Sequence, residues 1–181
     1  MPCKTIYRSL AAAALFSAVL PTLASAVIYN GSVDAGRVTF ASNCASCHGT
    51  PPNNLILPIV MNGANNPTLI SNTIRSNPSM EFLQGSLSQT DINNIAVYLA
   101  KPTTTDSDRI FDWGQATYPT LLTPAATSGS ASGYYYRYYS GTNFYVGTKA
   151  GSLYLLDGST GALSNLGAVS TWLNSAINAG F

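Results

Sequence analysis

The stretch that most constrains this chain is Ala41–Pro52, ASNCASCHGTPP. The 181 residues contain three cysteines and one histidine, and that histidine, His48, directly follows the pair Cys44 and Cys47. Two thiols and an imidazole within five positions lie on little more than one helical turn. Whatever the fold is, it must present that turn with all three side chains usable together.

The compartment narrows the chemistry. Lys4 and Arg8 precede an apolar run from Leu10 to Leu20, Pro21 breaks the run, and Ala24-Ser25-Ala26 supplies small residues for cleavage. The pattern predicts a secretory signal peptide over 1–26, cut near Ala26. Cys3 leaves with it, and the run is too short to serve as a membrane span. The expected product starts near Val27 and is periplasmic or secreted. Only 8% of the residues are charged. After Ala26, six basic residues face seven acidic ones with no basic run, which argues against nucleic acid as a partner.

Four readings compete for Cys44, Cys47 and His48. A disulfide suits an oxidising compartment. A zinc site needs four ligands and usually a second Cys or His pair, which is missing here. A redox dithiol of the thioredoxin kind needs a βαβ setting, and none is visible. Covalent haem uses all three residues: the thiols add to the two vinyl groups and the adjacent imidazole binds the iron. The haem reading leads.

The residues around the motif resemble the class I c-type cytochrome family. GRVTFASNCASCHG has the look of the family's first helix, with Gly36 and Phe40. MEFLQGSLSQTDINNIAVYLA, residues 80–100, resembles the family's ending: a methionine, a short loop and a last helix closing on Tyr-Leu. The resemblance covers about residues 30–102. It implies one covalently bound haem c, a first and last helix crossing with Gly36 and Phe40 against Tyr98, and a proline carbonyl for the proximal histidine. Pro58 is the nearest match for that proline, although PPNNLILP departs from the usual Gly-rich pattern.

The iron also needs a sixth ligand if it is to carry electrons rather than react. Two methionines remain after export. Met80 matches the family position, 18 residues before Tyr98 and ahead of the last helix. Met61 lies in the apolar stretch LILPIVMNG, where methionine usually fills a core. His48 and Met80 are therefore the expected iron ligands. Arg75, the one cation between the haem motif and Met80, is a candidate partner for a haem propionate. A solvated helix charge is the competing reading and the stronger one.

The expected fold is an all-α cytochrome c domain, 27–102, followed by a linker, 103–107, and a small α+β domain, 108–181. In the first part Ser32 caps a helix with Val38 and Phe40 facing inward. Asn66-Pro67 opens a second helix that ends at Asn77-Pro78. Ser88-Gln-Thr-Asp91 starts a third, with Ile92, Ile95, Ala96 and Leu99 at helical spacing. After the polar AKPTTTDSD, the segment RIFDWGQATYPTLL reads as a short amphipathic helix and TPAATSGSASG as a loop. A three-stranded β-meander is expected over 133–139, 143–148 and 152–157, with turn residues between the strands. VSTWLNSAINAGF closes the chain as a helix with Trp172, Leu173, Ile177 and Phe181 toward the sheet. Alternation puts Tyr134, Tyr136 and Tyr138 on one face and Tyr135, Arg137 and Tyr139 on the other. One face should pack on helices, and the other either binds something or only packs tyrosines across strands.

The leading function is a non-enzymatic electron carrier that exchanges single electrons with redox donor and acceptor proteins, its C-terminal domain docking or tethering it. A haem enzyme or gas sensor needs an open sixth site and usually a distal acid–base group, and no second histidine exists to serve. A third class is a binding or structural envelope protein, or a self-associating unit of an electron-conducting assembly. No later apolar run is long enough to span a membrane.

Overall fold

A computed structural model describes residues 30–52 and 59–181. The expected signal peptide and Pro58 lie outside the described residues. The chain divides into two compact units, the first comprising Val27–Asp106 and the second including Ser107–Phe181.

The first unit is helical. Helix α1 (Val33–Asn43) begins at Ser32, whose hydroxyl accepts from the Ala35 N–H at 2.9 Å. Its buried stripe is Val33, Gly36 and Phe40, spaced three and four apart. Val38 lies off that stripe and is 67% exposed, which corrects the expectation that it faces inward. A one-turn helix α2 (Ala45–His48) follows directly. Helix α3 (Pro67–Ser76) is capped by Asn66, which accepts from Leu69 N–H, with proline at the first turn where no donor is lost. Helix α4 (Gln89–Ala100) opens on a complete capping box between Ser88 and Asp91.

Helices α1 and α4 form the core of this unit, with Val33, Phe40, Ile95, Val97, Tyr98 and Leu99 buried together. Gly36 sets how closely they meet. A Cβ there would sit 2.1 Å from the carbonyl oxygen of Asn94 and 2.8 Å from Tyr98 Cβ, so only glycine fits. The Phe40 and Tyr98 rings meet at 5.6 Å between centroids and 60° between planes.

The second unit opens with most of helix α5 (Asp106–Thr117) and continues into a sheet. Strands β1 (Ala125–Ala131), β2 (Tyr134–Tyr139), β3 (Phe144–Lys149), β4 (Ser152–Asp157) and β5 (Ala162–Ala168) pair antiparallel in sequence order. Helix α6 (Val169–Asn178) ends the chain. The expected meander had three strands; there are five. AATSGSA and ALSNLGA are edge strands of mostly small and polar residues; neither has an aromatic, and Thr127 is their one β-branched residue, so the strand signal is weak. They extend because β2 and β4 offer unpaired backbone edges.

Leu122, Tyr139, Val146, Leu153 and Leu155 from the sheet side form one core with Ile110 and Phe111 of α5. Trp172 and Leu173 of α6 pack against it. Ile177 is buried as well. Tyr135, Arg137 and Tyr139 face α5: the Tyr135 hydroxyl donates to Asp108 at 2.8 Å, Arg137 pairs with Asp108 and Asp112, and the Tyr139 hydroxyl donates to the Phe111 carbonyl. Tyr134, Tyr136 and Tyr138 therefore occupy the opposite face.

Candidate functional site

The end of α1 leads straight into the cysteine–histidine turn. Cys44 N–H donates to Phe40 O at 2.8 Å, and His48 N–H donates to Cys44 O at 3.0 Å. The helical hydrogen bonding thus carries through Cys44, and Gly49, with φ near 77°, ends it. Cys44, Cys47 and His48 consequently stand on one turn. Both thiols are free. Cys44 packs against the α1–α4 core, whereas Cys47 is exposed.

Burial governs the chemistry of this turn. It pushes the Cys44 thiol up to about 11, with Cys47 adding to the effect. It also lowers His48 from its ordinary value, favouring the neutral imidazole that binds metals. The His48 ring lies 6.3 Å from the Phe40 ring, tilted by 46°. Its Nδ1 is buried and has no hydrogen-bond partner among the described residues. A buried ring nitrogen normally finds a partner. An imidazole with an unspent buried nitrogen beside two unpaired thiols fits the donor set of a covalently attached haem. Among the described residues, no group of three or more His, Cys, Asp or Glu could hold a metal ion by itself.

The two methionines sit differently. Met61, in a single 3-10 turn (Val60–Gly63), packs against the α1–α4 core. Met80 is half-buried and precedes a second 3-10 turn (Glu81–Leu83), in the loop between α3 and α4. Gln84 braces that loop: its amide donates to the Ile74 and Arg75 carbonyls at the end of α3, at 3.4 and 3.3 Å. Arg75 is exposed, and its guanidinium donates to Asn72 Oδ1 at 2.6 Å, as a solvated helix charge does.

Two supports had no local signature. Asn94, buried within α4, accepts from Ser32 N–H at 2.8 Å. Asp106, 73 positions along the chain, accepts from Val33 N–H at 2.9 Å and from the Ser32 hydroxyl. Together they pin the start of the helix that leads to Cys44. Asp34 beside them also accepts from Asp106 N–H and pairs with Arg37 at 2.9 Å. Burial, followed by the nearby Asp106 charge, raises its carboxyl above the ordinary value.

Residues 31–99 match the family model described as cytochrome c oxidase, cbb3-type, subunit III. The match supports a c-type cytochrome domain, which implies covalently bound haem c and haem-based electron transfer. Such domains are typically exported, and no helix among the described residues is long and apolar enough to cross a membrane. Searches of the curated proteins and of the solved structures find no match to the chain.

Proposed function

We propose that this chain is an exported mono-haem electron carrier whose second unit docks or tethers it. One observation carries the reading: the turn bearing Cys44, Cys47 and His48, with its thiols unpaired and a buried imidazole nitrogen unspent, lies inside the matched span 31–99. In this reading Cys44 and Cys47 would hold haem through thioethers, and His48 and Met80 would be the protein ligands to its iron.

Haem held there supplies a one-electron iron couple. The protein's own contribution is to position ligands and to exclude water. Phe40 walls one side of His48, and the packed α1–α4 core behind Cys44 keeps that side of the turn dry. Gln84 ties the loop that carries Met80 to the end of α3. A thioether ligand favours the reduced iron and raises the potential. Arg75 holds Asn72 through one guanidinium nitrogen and has further donors that would suit a haem propionate. With two axial ligands filled and no second histidine, the chain is read as a carrier rather than an enzyme. Its partners are then redox donor and acceptor proteins.

The ligand pair is tested by Met80→Ala in the exported protein. The reduced variant should bind carbon monoxide, while Met61→Ala should lower stability and leave the haem spectrum unchanged. An unaltered spectrum in Met80→Ala removes Met80 from the iron.

A further inference from the structure

The sheet of the second unit has one face packed on helix α5 and one face open, on which Tyr134 meets Tyr154 edge-on at 5.3 Å and Tyr136 meets Tyr145 at 5.7 Å between ring centroids. A trough of about 460 Å³ lies on it, walled by Tyr134, Tyr136, Tyr145 and Tyr154 with Leu156 and Leu163. That volume falls within the usual range of small-molecule pockets. Its lining extends from Ser132, in the β1–β2 turn, to Gly161, in the β4–β5 turn. The trough therefore crosses all five strands, roughly 19 Å at normal strand spacing. One cross-strand row reads Gly129, Tyr136, Gly147, Tyr154, Asn165. The glycine at the centre of the central strand leaves a smooth floor between two tyrosines, and a Cβ there would lie 3.1 Å from Tyr136 Cβ.

Two observations define what would occupy it. First, the hydroxyls of Tyr134, Tyr136, Tyr145 and Tyr154 have no protein hydrogen-bond partner among the described residues, although their rings are half-buried. On the same strands Tyr135, Tyr138 and Tyr139 all donate, to Asp108, Asn143 and the Phe111 carbonyl. Second, the trough lining carries no charge. At its edge Lys149 is held at 4.5 Å over the Tyr134 ring and by a 2.9 Å bond to the Ser132 carbonyl. Asp108, Asp112 and Arg137 pair with one another on the helix side. Lys149 is thus the charge that stands at the trough, on its edge and already bound, and the lining itself offers a charged chain no row of counter-charges. A long ligand that is itself uncharged, with apolar faces and hydroxyls at its edges, matches rings that offer an apolar face and a free O–H.

We propose that this trough binds a linear, uncharged polysaccharide. The inference rests on the reading of the second unit as a tether, names its target, and does not depend on the haem. Ring faces stack on the sugar C–H faces, and the four phenols exchange hydrogen bonds with sugar hydroxyls.

The test is affinity gel electrophoresis of the full exported chain, detected by protein stain. Separate gels contain hydroxyethyl cellulose, dextran, a neutral galactomannan, or alginate as the charged control, and a proline-rich peptide is titrated in solution. The expected result is retardation in at least one neutral gel and not in alginate. Tyr136→Ala and Tyr154→Ala should each weaken it about tenfold, the size expected for one lost aromatic contact. Tyr136→Phe and Tyr154→Phe keep the packing and remove only the hydroxyl, so they report even where the alanine variants unfold; each should weaken binding measurably. No retardation in any neutral gel overturns the proposal. So does binding of alginate or the peptide alone, or retardation that all four substitutions leave intact. If every neutral polysaccharide fails while Tyr136→Ala in the full chain slows electron exchange with a native donor, the polysaccharide is excluded and the docking role survives.

Discussion

Gly36 on α1 meets Asn94 on α4 so closely that a Cβ at Gly36 would lie 2.1 Å from the Asn94 carbonyl oxygen. The obstacle is backbone inside a helix, which cannot step aside as a flexible side chain can. Gly36→Ala should therefore cost the first unit about 3 kcal/mol or more, at the upper end of overpacking penalties. Urea denaturation followed by helical circular dichroism measures it. A loss below about 1 kcal/mol would mean that the helices separate readily.

Asp106 lies beyond the matched span of 31–99, yet its buried carboxylate accepts from Val33 N–H and the Ser32 hydroxyl. Asp106→Ala leaves a buried donor unpaired at the start of α1. The expected cost is about 2 kcal/mol, typical of a hydrogen bond to a charged group. A chain cut at Thr105 should lose the same amount relative to one cut several residues later. Thermal melts of the two truncated chains check this.

Acid should act on the start of α4 in a defined direction. The hydroxyl and then the backbone N–H of Ser88 hold the Asp91 carboxyl below its ordinary value of 3.8. A depressed carboxyl stabilises the fold above the unfolded value, and that contribution disappears as pH falls through the folded one. Asp91→Asn should therefore lower the melting temperature at pH 7 and have a smaller effect at pH 2. Ser88→Ala, which also removes the acceptor for Asp91 N–H, should cost about 1 kcal/mol at pH 7. Melts of the three proteins across pH 2–7 give the curve.

What could be read from the sequence is what is local. Asn66-Pro67 and Ser88-x-x-Asp91 announce helix starts because their side chains satisfy donors two or three residues away. The three central strands were visible through aromatic runs separated by glycine-bearing turns. Strands β1 and β5 were not, since their extension depends on partners across the sheet rather than on their own residues. Val38 is apolar yet exposed because helical angle decides the face: Val33, Gly36 and Phe40 define the inward stripe, and Val38 lies off it. Asp106 and Asn94 escaped for a different reason. Their contacts with Ser32 and Val33 link positions more than 60 residues apart, and no spacing rule covers that. The cysteine–histidine turn was legible because three rare reactive side chains share one helical turn.

The central claim is that haem is attached at Cys44 and Cys47 with both axial positions filled, by His48 and Met80. The most direct measurement is the visible absorbance of the purified exported protein, oxidised, then reduced, then reduced under carbon monoxide. The account predicts one covalently bound haem per chain, a low-spin spectrum, and no change on adding carbon monoxide. A protein without covalent haem, or a reduced spectrum that shifts promptly under carbon monoxide, contradicts it.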